Sequence, residues 1–136
     1  MLSPSTESVR LFLHVIAAAV WVGGQFALAG VVPSLRRVAP NATKAVAQAF
    51  ARVAWPAFGL LVITGMWNLM AEDITTKSSA WQVTLLVKIA LAMASGVFVV
   101  VHSIGKSKLA LALGGALGAL TAVAAMFLGV LLSAAK

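Results

Sequence analysis

Four long apolar stretches, separated by short polar links, account for most of this chain. They cover residues 9–32, 45–70, 80–104 and 109–134 of a 136-residue sequence. A helix needs about 20 residues to cross a hydrocarbon core of about 30 Å, so each stretch is long enough. Their length, their alanine and leucine content and their lack of alternation favour helices over strands. We therefore predict an all-α integral membrane four-helix bundle, formed by residues 1–136 as a single transmembrane domain.

The positive charges are concentrated in two of the links. The formal net charge is +7, and the first and third links carry half of the lysines and arginines, namely Arg36, Arg37, Lys44, Lys106 and Lys108, with Arg52 just inside the second span. With four spans these links lie on one side, and the positive-inside rule places that side in the cytoplasm. We therefore predict that both termini lie outside and that the protein is a multi-pass protein of the cytoplasmic membrane. The same rule explains the basic links without a nucleic-acid partner.

Three ionisable residues interrupt the apolar stretches, namely His14, Lys88 and His102. Such a residue inside a membrane costs a few kcal/mol or more, so it needs a partner or a function. Lys88, Ser95 and His102 recur every seven residues and share one helix face. In the first span, His14, Trp21 and Gln25 likewise share a face, beside Gly23 and Gly24.

Depth along the spans separates these residues into two layers. His14 and Lys88 both fall in the outer half, whereas His102 lies about 21 Å beyond Lys88. His14 and His102 are therefore not expected to hold one metal or haem iron together. The predicted outer site combines His14, Lys88 and Trp21, with Asn68 as a further member. The members of the predicted inner layer are His102, Gln25, Arg52 and Trp55.

Each of these positions also has a purely structural interpretation. His102 near its span end can be an interfacial residue, and Lys88 can extend its ammonium to the outer surface. We expect Trp67 and Trp81 to belong to the outer aromatic belt. The small residues of the fourth span form a packing seam, which also leaves open a homodimer or a larger membrane complex. The seam consists of Gly114, Gly118, Thr121, Ala125 and Gly129.

Two cofactors fit the available ligands. Copper(I) prefers thioether and imidazole ligands, which His14, Met66 and Met70 supply, although a charged Lys88 nearby would repel a cation. Haem b would take an imidazole from His14, space beside Gly24, and a cationic partner such as Lys88 for its propionates. The chain has no cysteine, which excludes thiolate metal sites and disulfides. No carboxylate lies inside a span, so hydrolytic chemistry and a carboxylate-lined channel are not supported.

Several segments resemble a known membrane family. The runs LHVIAAAVWVGGQF with VVPSLRR, FARVAWPAFGLLVITGMWNL and WQVTLLVKIALAM are similar to helices of the copper-resistance protein D (CopD) domain. The resemblance covers nearly the whole chain and implies copper uptake or homeostasis. His14, Trp21, Gly24 and Lys88 also resemble the HemJ-type protoporphyrinogen oxidases, four-helix membrane proteins linked to haem b. That second resemblance implies that His14 is a haem ligand and that Lys88 is essential.

Three functions therefore remain open at the level of sequence. The first is copper handling at an intramembrane His/Met site, which the CopD resemblance favours. The second is a haem b-binding redox protein, and the third is an accessory subunit whose polar residues only lock the helices together. The residues do not decide whether the chain is an enzyme, and its substrate and partner subunits are left undetermined.

Overall fold

The computed structural model describes residues 1–135 and is almost entirely helical. Four long helices follow one another: α1 (Thr6–Val38), α2 (Thr43–Ala71), α3 (Ser79–Ile104) and α4 (Lys108–Ala134). Short 3-10 turns at Pro40–Ala42 and Ile74–Thr76 stand in the first two links. All four helices are long and apolar enough to cross a membrane. The predicted all-α fold with four membrane-spanning helices is confirmed.

The helices are grouped into two compact units. The first unit ends at Glu72 and consists of α1 packed against α2. The second begins at Asp73 and consists of α3 packed against α4. Each unit is thus a helical hairpin, the expected result of a short link between consecutive spans. The single domain expected from the sequence stays a prediction.

Serine side chains define where three of the helices begin. Ser5 caps α1 in a reciprocal capping box with Ser8, while Ser78 and Ser107 accept backbone N–H bonds at the starts of α3 and α4. These bonds satisfy amides that have no partner inside the helix. The start of each span is therefore set by a polar residue at the edge of its apolar run.

The end of the first helix differs from the prediction. The span expected to end near Val32, with Pro33 as a terminator, continues through Pro33 to Val38. A proline removes only one helical N–H bond, and the next turns retain theirs. Arg36 and Arg37 stand in the last turn, where basic side chains complement the helix dipole.

Most large apolar side chains lie on the surface of the structure. Phe12, Phe26 and Phe127 are each more than half exposed, while the buried positions are dominated by small residues such as Ala17, Ala54 and Ala122. A soluble protein rarely exposes so much contiguous apolar surface. In a bilayer the acyl chains cover it, and small residues let helices approach closely. The chain is accordingly a multi-pass membrane protein.

Candidate functional site

His14 is joined to the second helix of its hairpin by one hydrogen bond. Its Nδ1 lies 2.8 Å from the Thr64 hydroxyl oxygen, and Thr64 is fully buried. The Thr64 hydroxyl donates its single proton to the Leu60 carbonyl oxygen at 2.7 Å. When that proton points to Leu60, the Thr64 oxygen accepts a hydrogen bond from His14 Nδ1–H. In the neutral ring the lone pair then lies on Nε2, the atom that can ligate a metal or accept a proton.

The immediate surroundings of the imidazole are small. A Cβ atom added to Gly65 would stand 3.6 Å from Cε1 of His14, so the ring lies directly beside this glycine. The glycine is next to Thr64 in α2, and both residues therefore face α1 at the same level. His14 itself is half-buried. The ring is thus oriented by its hydrogen bond to Thr64 and lies against Gly65.

The two methionines proposed as copper ligands are not brought to His14. Met66 is 59% exposed and Met70 is 84% exposed. At about 100° per residue they stand roughly 200° and 240° around α2 from Thr64, which holds the imidazole. Within this hairpin the His14 site therefore contains no thioether.

Trp21 lies at the centre of an aromatic cluster rather than in an open site. The indole is 3% exposed, and its ring lies 4.5 Å from Phe58 and 5.4 Å from Trp55 between centroids. Such distances are typical of favourable aromatic pairs. The prediction assigned Trp21 to the outer layer and Trp55 to the inner layer, but the structure places them in contact. The register of α1 on α2 brings these two residues to one level.

Gly24 meets a side chain of its own hairpin. The phenyl ring of Phe50 occupies the place where a Cβ atom of residue 24 would stand. The close approach predicted at Gly24 is therefore made by Phe50. By contrast, nothing lies within 4 Å of the corresponding position on Gly23.

The other members of the predicted inner layer do not assemble within the first hairpin. Arg52 is exposed, and the Gln25 side chain donates to the Trp21 carbonyl oxygen of its own helix at 3.2 Å. Neither residue contributes to the aromatic cluster through its side chain.

Lys88 extends along the partner helix of the second hairpin. Hydrogen bonds from Ser95 to Gly118 and from Trp81 to Leu132 set the register of α3 on α4 and place Lys88 opposite Ala125. Its ammonium instead reaches Gly129, where an added Cβ atom would lie 3.2 Å from Nζ. The amine is therefore displaced about one helical turn toward the end of α4, the predicted outer surface.

His102 connects the end of α3 to the beginning of α4 by a hydrogen bond. The residue is exposed, and its Nδ1 lies 2.5 Å from the Leu111 carbonyl oxygen, to which it can only donate. The imidazole also contacts Gly115. These contacts agree with the interfacial, structural interpretation of this histidine.

The seam of small residues in α4 is used inside the second hairpin. The fully buried Ser95 donates to the Gly118 carbonyl oxygen at 2.8 Å, and a Cβ atom on Gly114 would clash with the His102 backbone. The predicted packing role of the seam is thus seen directly. Trp81 is nearly buried, and its indole N–H donates to the Leu132 carbonyl oxygen near the end of α4. Its place in the outer aromatic belt stays a prediction.

One buried cation was missed by sequence reasoning. Arg10, interpreted as an outer flanking charge, is only 5% exposed, and its Nε has no hydrogen-bond partner. Asn68 Oδ1 is likewise buried without a partner. Arg10 precedes His14 by four residues and Asn68 follows Thr64 by four, so both lie one turn beyond the His14–Thr64 pair. The spacings of four residues from Arg10 to His14 and from Thr64 to Asn68 were the signal in the sequence that could have placed Arg10 and Asn68 beside this pair.

Comparison with known proteins identifies no relative. No family model matches the chain, and no curated protein or solved structure is significantly similar to it. The CopD and HemJ resemblances therefore remain expectations from sequence. Among residues 1–135 no group of three or more histidine, cysteine, aspartate or glutamate residues is placed to hold a metal ion. A cofactor at His14 would need to bind with few protein ligands.

Proposed function

We propose that this chain is a membrane-embedded haem b-binding redox protein in which Nε2 of His14 is the axial ligand. The observation that supports this most directly is the His14–Thr64 hydrogen bond, since a ring that donates from Nδ1–H to Thr64 carries its ligating lone pair on Nε2. Metal-binding histidines generally donate their other ring N–H to such an oriented acceptor. In this proposal Thr64 is a positioning residue, and the ligand itself is His14.

The ligand count favours haem over copper. Haem b brings four nitrogen ligands of its own and needs a single imidazole from the protein, whereas copper(I) needs further soft ligands from the chain. Met66 and Met70 lie on the other face of α2, so they do not complete a copper site with His14 in this hairpin. When bound, haem would supply one-electron chemistry. The chain would orient the imidazole and keep water away with its aromatic cluster.

Lys88 is the intramembrane cation of the second hairpin. Its aliphatic stem packs along α4 and its ammonium reaches the level of Gly129, toward the predicted outer surface. A carboxylate near that surface would gain a charge-assisted hydrogen bond there. We propose the cytoplasmic membrane as the location because the basic links obey the positive-inside rule for that membrane.

The test is the visible spectrum of the detergent-purified protein from cells supplied with a haem precursor. We expect a Soret band and, after dithionite, sharpened α and β bands. His14→Ala should abolish the Soret band. His102→Ala, the matched control, should keep the Soret band, because the His102 imidazole is hydrogen-bonded to the Leu111 carbonyl oxygen at the α3–α4 link.

Two results would contradict the haem proposal. One is a purified protein without a Soret band although haem was supplied during expression. The other is a His14→Ala variant that keeps the full spectrum. A colourless protein that retains copper(I) only when His14 is present would favour the copper alternative. A colourless protein that retains neither cofactor would favour the accessory subunit.

A further inference from the structure

A polar cavity lies at the end of the first hairpin where α1 begins and α2 ends. Its volume is about 320 Å³. It is lined by Thr6, Glu7, Arg10, Trp67, Ala71 and Glu72. All these residues belong to the predicted outer end of spans one and two. The cavity therefore stands at the depth where lipid headgroups meet a membrane protein.

Arg10 is the feature that marks this cavity as a binding site. Its side chain is 95% buried, and its Nε is buried without a hydrogen-bond partner. Leaving a donor of a charged group without an acceptor costs more than leaving a neutral one. An anionic oxygen in the cavity would supply the missing acceptor. A phosphate or carboxylate matches the fork of donors that a guanidinium presents.

The charges around the cavity restrict the ligand further. The carboxylates of Glu7 and Glu72 line the cavity together with the guanidinium of Arg10. A simple anion would meet the carboxylates, and a simple cation would meet the buried guanidinium. A zwitterion satisfies both signs, with its anionic group on Arg10 and its cationic group toward the carboxylates. A primary ammonium can donate hydrogen bonds to them, which a trimethylammonium cannot do.

We propose that this cavity binds the headgroup of a phospholipid that carries a primary ammonium, of which phosphatidylethanolamine is the common example. Arg10 receives the phosphate and the Glu7 and Glu72 carboxylates receive the ammonium. Trp67, which is 39% exposed beside the cavity, lies where an indole can contact the glycerol and upper acyl region. This lipid site does not depend on the haem proposal.

Native mass spectrometry of the purified full chain tests the site. The micelles contain equal amounts of dioleoyl phosphatidylethanolamine, phosphatidylcholine and phosphatidylglycerol. We expect one phosphatidylethanolamine to be retained about tenfold better than either competitor. This is the difference in affinity expected when a competing lipid cannot make one charge-assisted hydrogen bond that phosphatidylethanolamine makes. Arg10→Gln should lose the retention of all three lipids. Glu7→Gln combined with Glu72→Gln should keep a lipid but lose the preference for ethanolamine over choline.

Arg52→Gln is the matched control, because Arg52 is an exposed arginine of the same hairpin. It should retain the lipid as the unaltered chain does. Circular dichroism of each variant checks that the helices are formed, and Arg10→Lys keeps the charge if Arg10→Gln fails to fold.

Equal retention of the three lipids would overturn the proposal, as would a preference for phosphatidylglycerol or unchanged binding in Arg10→Gln. Displacement of the lipid by free phosphoethanolamine at equal concentration would assign the cavity to a soluble zwitterion instead.

Discussion

The two most deeply buried polar side chains in the structure are hydroxyls rather than ionisable groups. Thr64 is 1% exposed and Ser95 is 0% exposed, and each donates to a backbone carbonyl oxygen. A hydroxyl can give its proton to a carbonyl and still accept another hydrogen bond. Thr64 uses both capacities, so it connects the two helices of its hairpin through His14. The polar organisation of each hairpin thus depends on small residues that the sequence alone does not emphasise.

Thr64→Val is the sharpest test of this arrangement. Valine has nearly the same shape but leaves His14 Nδ1–H without its acceptor, which should lower the free energy of unfolding by about 1–3 kcal/mol. If His14 ligates a cofactor, its affinity should fall about 10–100-fold through loss of the orienting hydrogen bond. Thermal unfolding in detergent and cofactor titration measure the two effects.

Thr84→Val provides the control for that substitution. The Thr84 hydroxyl donates only to the Ala80 carbonyl oxygen of its own helix, so its removal should change neither quantity appreciably. Equal behaviour of the two variants would show that the Thr64 hydroxyl does not position the imidazole.

Residue-scale prediction was limited where contacts between two helices were needed. The spacing of Met66 and Met70 along α2 turns them away from Thr64, although the sequence analysis proposed them as copper ligands beside His14. The pairing of His14 with Thr64 and the contact of Trp21 with Trp55 depend on the register of α1 on α2. That register arises from packing between residues about 35 to 50 positions apart, which no local pattern encodes.

At the scale of the helices, hydrophobic run length was a good guide. Each predicted span corresponds to one helix, and the starts of α2, α3 and α4 agree with the predicted spans within two residues. The main error was at Pro33, because proline was interpreted as a terminator although α1 continues for five more residues. The Trp81 indole is nearly buried and has an acceptor on α4, and its place in the outer aromatic belt stays a prediction. The continuation of α1 through Pro33 shows tertiary context overriding a local rule.

The adjacent glycines of α1 give a matched prediction about this packing. Gly24→Ala would push its methyl group into the Phe50 ring and should destabilise the hairpin by about 1–3 kcal/mol. Gly23→Ala meets open space and should be neutral or stabilising by up to about 1 kcal/mol through helix propensity. Thermal unfolding in one detergent compares the two variants.

A second substitution distinguishes the clash from a general effect of alanine at this level. Gly24→Ala combined with Phe50→Ala removes the obstructing ring, and the alanine at position 24 should then cost much less than in the parent chain. Unchanged stability of the single Gly24→Ala variant would mean that Phe50 does not pack on Gly24 in the protein.

At the scale of the whole molecule, charge is distributed between the two predicted surfaces. The links after spans one and three carry no acidic residue, whereas Glu7, Glu72 and Asp73 all stand at the opposite ends of the helices. Within α1 the structure preserves this division, with Glu7 in the first turn and Arg36 and Arg37 in the last turn. With an even number of spans, the positive-inside rule predicts both termini on the acidic, outer side.

The absence of natural cysteine makes this orientation directly measurable, since one introduced thiol is the only reactive one. Ser3→Cys and Thr76→Cys, both at exposed positions on the predicted outer side, should react with a membrane-impermeant maleimide in intact cells. Asn41→Cys, exposed in the first link, should react only after the membrane is permeabilised. Because the cavity at Arg10 lies at the predicted outer end of the first hairpin, this labelling also decides from which side a lipid meets it. Labelling of Asn41→Cys in intact cells, with protection of the other two, would reverse the orientation and place the cavity on the cytoplasmic side.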